Sequence, residues 1–167
     1  NEKRPNLFIQ IAKNVIVDYP EIDFIMVGSN MESHKKYILR SGIIYKGEIK
    51  NEKELNSIYI KANVLLITSY REGFPVVVME SMANGVVPIV TNVGGLSEHI
   101  TNEINGFLIE DERHELFLVE KFTSKIVKLY KDLEFREKMS KTAFKYAKEN
   151  FDVEVFNNDY KELLLNN

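Results

Sequence analysis

Cysteine is absent from the 167 residues, which excludes disulfides, a thiolate metal site and a cysteine nucleophile. The absence suits a reducing compartment, and a cytoplasmic location is the expectation. Long apolar runs are also lacking. None approaches the roughly 20 residues needed to cross a bilayer, and no signal peptide is recognisable. There is no excess of positive charge: 22 Lys and Arg against 25 Asp and Glu leave a formal net charge of −3. Broad nucleic-acid binding needs a basic surface to replace counterions around phosphates, so no nucleic-acid partner is expected. His34, His99 and His114 are scattered, with no His-x3-His pair and no Asp-x-Asp element, so no metal site is expected. What remains is an ordinary globular mixture, long enough for one domain with a real core. The chain opens on Asn1 rather than methionine and reads as part of something longer.

Apolar spacing alternates between helical and extended periods. Leu7, Ile11 and Val15 recur every fourth residue, with Pro5 in the first turn and Pro20 as a stop, so residues 5 to 19 read as a helix. Residues 22 to 27 form a short apolar run ending at Gly28, read as a buried strand. A helix over 33 to 41 and a strand from Ile43, closing at Gly47, follow. Asn51 is placed to cap a helix to Ala62, with Glu54 completing a capping box. Strands are expected over 64 to 68, 86 to 91 and 107 to 109. Between them lie a helix over 76 to 83, ended by Asn84-Gly85, and a short helix over 97 to 100. The tail is helical, with stripes at Phe122, Ile126 and Leu129, at Phe135, Met139 and Ala143, and at Val153, Phe156, Tyr160 and Leu163. Alternating buried strands and helices imply an α/β domain with a parallel sheet covered on both faces. Ligands of such sheets bind at the carboxyl ends of the strands, and the loops over 68 to 75 and 91 to 97 are of that kind.

The segment from Arg71 to Ala83 carries the strongest chemical signal. Glu72 lies in a loop, and Glu80 lies about one turn into the helix that follows. Gly73 lets the backbone turn and a ligand approach closely. Pro75 has no N–H and sits where a helix start tolerates that. The amides of Val76 and Val77 are first-turn donors backed by the helix dipole, an arrangement that binds phosphate. A carboxylate accepts two hydrogen bonds and suits neighbouring sugar hydroxyls. On spacing alone, Glu72 and Glu80 read more readily as solvated acids that merely favour the dipole.

The same segment resembles the Glu-x7-Glu motif of the family 4 retaining glycosyltransferases. Gly94-Gly95-Leu96-Ser97-Glu98 is similar to that family's Gly-Gly-x-x-Glu loop, and Asn105-Gly106-Phe107-Leu108 to its Asn-Gly-x-Leu turn. Gly28 after the 24-to-27 strand, and Tyr45-Lys46-Gly47 before the 51-to-62 helix, fall in the family's order. The resemblance implies a Rossmann-like parallel sheet with helices on both faces, the carboxy-terminal half of a GT-B glycosyltransferase, with residues 1 to 167 as the donor-binding domain. It implies that Glu72 contacts donor-sugar hydroxyls and that Glu80 holds the ribose hydroxyls. Gly73, Phe74 and Pro75 shape the loop, and the amides of Val76 and Val77 meet the distal phosphate. Lys3 neutralises the departing diphosphate, Ile49 and Asn51 edge the base, and Gly94 and Gly95 line the donor loop. The donor implied is a UDP-sugar or a GDP-sugar, used without a metal. The acceptor implied is a glycan or a lipid-linked molecule, chosen by a domain absent from this chain. An arginine that the family carries shortly before the lysine, on the domain's first strand, is absent as well. In the family that strand is central.

Other features stay open at this level. Lys138, Lys141, Lys145 and Lys148 share a helical face, either solvated beside Glu137 and Glu149 or a peripheral contact with anionic lipid at the inner membrane face. His99 lies one residue after Glu98, either near the donor or on a helix surface. Glu72 and Glu80 also suit a hydrolase acid/base pair, which must face each other across a sugar at roughly 5 to 9.5 Å. A non-catalytic interaction domain of the same shape is the remaining reading.

Overall fold

The computed structural model describes residues 2–31, 34–73, 75–111 and 114–151. In chain order these form α1 (Pro5–Asp18), β1 (Ile25–Val27), α2 (Lys35–Leu39), β2 (Ile44–Gly47), α3 (Glu52–Lys61), β3 (Val64–Ile67), α4 (Val76–Ala83), β4 (Val87–Thr91), α5 (Leu96–His99), β5 (Phe107–Ile109), α6 (Glu115–Lys131) and α7 (Leu133–Asn150). Every strand pair is parallel. The strands lie in two segments, β1-β2 and β3-β4-β5.

Side-chain alternation explains why helices cover both faces. On β3, β4 and β5, Val64, Leu66, Val87, Ile89, Phe107 and Ile109 point into one core, shared with α1 and α6. Leu65, Ile67, Val90 and Leu108 point the other way, toward Val78 and Met82 of α4, Leu96 of α5, and Ala143 and Ala147 of α7. β4 is buried along its whole length, as its unbroken apolar run predicts. α1 packs on α6, and α4 on α7. Leu7, Ile11 and Val15 are fully buried.

The first apolar run departs from expectation. β1 covers only Ile25–Val27, and Ile25 and Val27 are exposed, at 36% and 39%. Hydrophobic composition marks a strand, but burial depends on neighbours. Among the described residues, β1 has only β2 beside it, and Met26 alone of its three residues packs against the main core. The capping box also forms by halves. The Asn51 side chain accepts from the amides of Lys53 (2.9 Å) and Glu54 (3.2 Å), but among the described residues Glu54 returns no bond. The stripe at Val153, Phe156, Tyr160 and Leu163 lies outside the described residues.

Candidate functional site

Three loops follow the carboxyl ends of β3, β4 and β5, where ligands of parallel sheets bind. Residues 2 to 4 run beside the first of them. The amide of Tyr70 donates to the carbonyl of Glu2 at 2.7 Å. The Thr68 hydroxyl reaches the carbonyls of Lys3 (3.1 Å) and Arg4 (3.3 Å). These bonds carry Lys3 to the loop that holds Glu72. Lys3 Nζ donates to Glu72 Oε1 at 2.5 Å, and the Ser69 hydroxyl donates to the same oxygen at 2.5 Å. The Glu72 side chain is 9% exposed and that of Lys3 65%. The carboxylate is thus fixed from within while the ammonium faces solvent. Glu2, Lys3, Arg71, Glu72 and Gly73 line a cavity of about 410 Å³ at this point.

Arg4 locks the arrangement from beneath. It caps α1 from a left-handed conformation, φ 45°. Its guanidinium donates to the carbonyl of Thr68 (2.6 Å), the carbonyl of Ser69 (3.1 Å) and Asp111 Oδ1 (2.7 Å). One planar fork therefore joins the chain start, the loop after β3 and the loop after β5. The Thr91 hydroxyl, at the end of β4, also donates to the carbonyl of Ser69, at 2.6 Å.

The second loop is pressed against the first. The Gly95 amide donates to the carbonyl of Gly73 at 3.0 Å. At Gly94, φ is +59°, and a Cβ there would lie 2.0 Å from the Glu72 carbonyl oxygen and 2.6 Å from that of Gly73. Only glycine fits a backbone approach this close. Gly94 and Gly95 therefore act on the site through the backbone of the Glu72 loop.

α4 begins at Val76 with Pro75 as its N-cap residue, as the sequence predicts. Val76 and Val77 occupy the first helical positions, ahead of the helix's own hydrogen-bond ladder. The two residues are 63% and 38% exposed. Phe74 lies outside the described residues. Glu80, one turn further along, is not among the residues lining the cavity with Glu72. It faces α3 instead, where the Tyr59 hydroxyl donates to Glu80 Oε2 at 3.0 Å. Burial, then the hydrogen bond and charge of Glu80, hold the Tyr59 phenol well above the ordinary tyrosine range, so it remains a donor. Ile49 and Asn51 precede α3, and the Asn51 carbonyl oxygen is engaged in the cap.

His99 is the half-buried last residue of α5. Nδ1 lies 3.0 Å from the Tyr146 hydroxyl, and the ring meets Phe151 edge-on, which turns it toward α7. Asn105 is buried and builds its turn, accepting from the Thr101 amide (2.7 Å) and donating to the His99 carbonyl (2.9 Å). Among the described residues, no group of three or more His, Asp or Glu is placed to hold a metal ion, and no helix is long and apolar enough to cross a membrane. The sequence reading missed Ser69, Asp111, Tyr59 and the role of Arg4. Only Arg4, beside Lys3, carried any local signal.

Parallel strands covered by helices on both faces define an α/β domain of the doubly wound type, a fold whose ligands bind at strand-end loops such as these. The chain belongs to the family described as Glycosyl transferases group 1, whose profile matches residues 1–146. It is 33% identical over 141 residues to the poly(glycerol-phosphate) alpha-glucosyltransferase of Bacillus subtilis (strain 168), covering 80% of this chain and 20% of that protein. It is 24% identical over 161 residues to spore coat protein SA of the same organism, covering 89% of this chain and 42% of that one. The chain thus spans less than half the length of these curated relatives. The C-terminal domain of a glycosyl transferase group 1 family protein (LpcC) from Francisella tularensis shares the fold, with a TM-score of 0.79 at 23% identity over 91% of this chain and 81% of that one. So does the pneumococcal O-GlcNAc transferase GtfA in complex with UDP and GlcNAc, with a TM-score of 0.85 at 24% identity over 99% of this chain and 33% of that one.

Proposed function

We propose that this chain is the donor-binding half of a retaining glycosyltransferase, which moves a sugar from a nucleoside diphosphate to an acceptor hydroxyl. The observation that carries the reading is the meeting of Lys3 and Glu72 over a cavity in the loop that leads into α4. Glu72 binds hydroxyls of the donor sugar and positions it. The amides of Val76 and Val77, together with Lys3, take up charge on the diphosphate. That charge grows as the bond to the sugar lengthens, so these groups bind the transition state better than the ground state. With the leaving-group charge met in this way, no metal is required. Glu80 binds the ribose diol, Gly73, Phe74 and Pro75 shape the phosphate loop, and Ile49 and Asn51 edge the base. Gly94 and Gly95 hold the Glu72 loop in place.

A UDP-sugar is the favoured donor, with a GDP-sugar as the alternative. UDP in the GtfA complex supports uracil. The acceptor, a glycan or lipid-linked molecule, is held by another domain, and this chain alone is inactive. The printed activities of relatives support transfer as the reaction: an alpha-glucosyltransferase and a UDP-Gal-dependent alpha-1,3-galactosyltransferase of Escherichia coli.

Isothermal titration of the folded chain with UDP and with GDP tests the reading, and binding of one of them is expected. Glu80→Ala removes a charged acceptor, a loss of about 10- to 100-fold in affinity. A folded chain that binds neither nucleotide contradicts the proposal. Undiminished binding by Glu80→Ala contradicts the role given to that residue.

A further inference from the structure

Tyr59 is the one buried residue of α3, at 8% exposure. Its ring anchors that helix, yet its hydroxyl reaches across to α4 and donates to Glu80 Oε2 at 3.0 Å. Oε1 of Glu80 has no protein partner among the described residues. A glutamate on a helix surface samples several rotamers, and ordering it costs side-chain entropy. A carboxylate with one oxygen already engaged by a rigid donor has much of that ordering done beforehand, which is where affinity is gained.

We infer that Tyr59 is a positioning residue. By donating to Oε2 it fixes the plane of the Glu80 carboxylate, so that Oε1 and the remaining lone pair of Oε2 meet a vicinal diol such as a nucleotide ribose. The inference rests on the donor-binding reading above. Tyr59 does not touch the nucleotide. It acts through Glu80, and it ties that carboxylate to the helix whose first turn follows Ile49 and Asn51. The base-side loop and the ribose-side carboxylate are therefore set by a single side chain.

The test uses Tyr59→Phe, which keeps the anchoring ring and removes only the hydroxyl. Titrations of UDP and of 2′,3′-dideoxy-UDP are compared, with the guanine pair run in parallel. The unaltered chain is expected to prefer the diol-bearing nucleotide by roughly 30-fold. Tyr59→Phe is expected to cut that preference by about five- to tenfold while leaving the dideoxy affinity within about twofold. In a Glu80→Gln background, adding Tyr59→Phe should change the preference by less than about twofold, because the two residues act as one unit. Equal weakening of both nucleotides would reduce Tyr59 to an anchor of α3 and overturn the inference. So would an undiminished preference in Tyr59→Phe. A chain that binds no nucleotide of either base overturns the donor-binding reading and this inference with it. A chain that discriminates the diol but ignores Tyr59→Phe overturns this inference alone.

Discussion

Gly94→Ala is expected to lower the melting temperature by on the order of 10 °C and to abolish nucleotide binding. A Cβ at this position would stand 2.0 Å from the Glu72 carbonyl oxygen, 2.8 Å from its carbon and 2.6 Å from the Gly73 carbonyl oxygen. All three are backbone atoms, so no rotamer change relieves the clash. The positive φ adds about 1–2 kcal/mol for any residue with a Cβ, and overpacking adds about 1–3 kcal/mol. For a chain of this length each kcal/mol shifts the melting temperature by about 2–4 °C. Relief must come from separating the loop after β4 from the loop after β3. That movement also breaks the bond from the Gly95 amide to the Gly73 carbonyl and shifts the backbone that presents Glu72. Thermal unfolding and titration with UDP measure the two consequences. A variant that melts within about 2 °C of the parent and binds UDP equally would show that the loops are not in contact.

Arg4→Ala should be nearly as damaging, for an electrostatic reason. Its side chain is 12% exposed and that of Asp111 18%, so removing the cation leaves a largely enclosed carboxylate without an ion-pair partner among the described residues. In the same change the Thr68 carbonyl loses its side-chain donor and the Ser69 carbonyl keeps only that of Thr91. Breaking one side of such a pair costs about 3 kcal/mol, a fall of about 6–12 °C. Arg4→Lys should recover little, because an ammonium cannot span three acceptors in a planar fork. Full recovery by lysine would mean that charge alone matters at this position. Nucleotide affinity should fall in both variants, since the clamp fixes the loop that presents Glu72.

The elements around the site were legible because their signals are local. Pro75 before an apolar helix, Asn84-Gly85 after it and the unbroken run of β4 each state a boundary within a few residues. The pair Gly94-Gly95 marks a loop, although only the fold reveals that the backbone of residues 72 and 73 is what crowds Gly94. The clamp was not legible. Arg4 and Asp111 are 107 positions apart, and nothing near either one names the other. Tyr59 carried no signal of its own, because a hydroxyl aimed at another helix leaves no trace in helical spacing. The exposure of Ile25 and Val27 failed for the converse reason: their apolar character is local, but the neighbours that would cover them are not. His99 was placed by its distance in sequence from Glu98, while its contacts are with α7.

The rim of the cavity carries Glu2, Lys3, Arg71 and Glu72, two positive and two negative groups whose formal sum is zero. Seen from beyond a Debye length, about 10 Å at 0.1 M salt, such a quartet exerts little pull on an approaching polyanion. Capture is therefore governed by chance encounter and by what happens on contact, when a phosphate displaces one member of a pre-existing pair. Association should proceed at an unsteered rate, nearly flat against ionic strength, with selectivity expressed in how slowly the right molecule leaves.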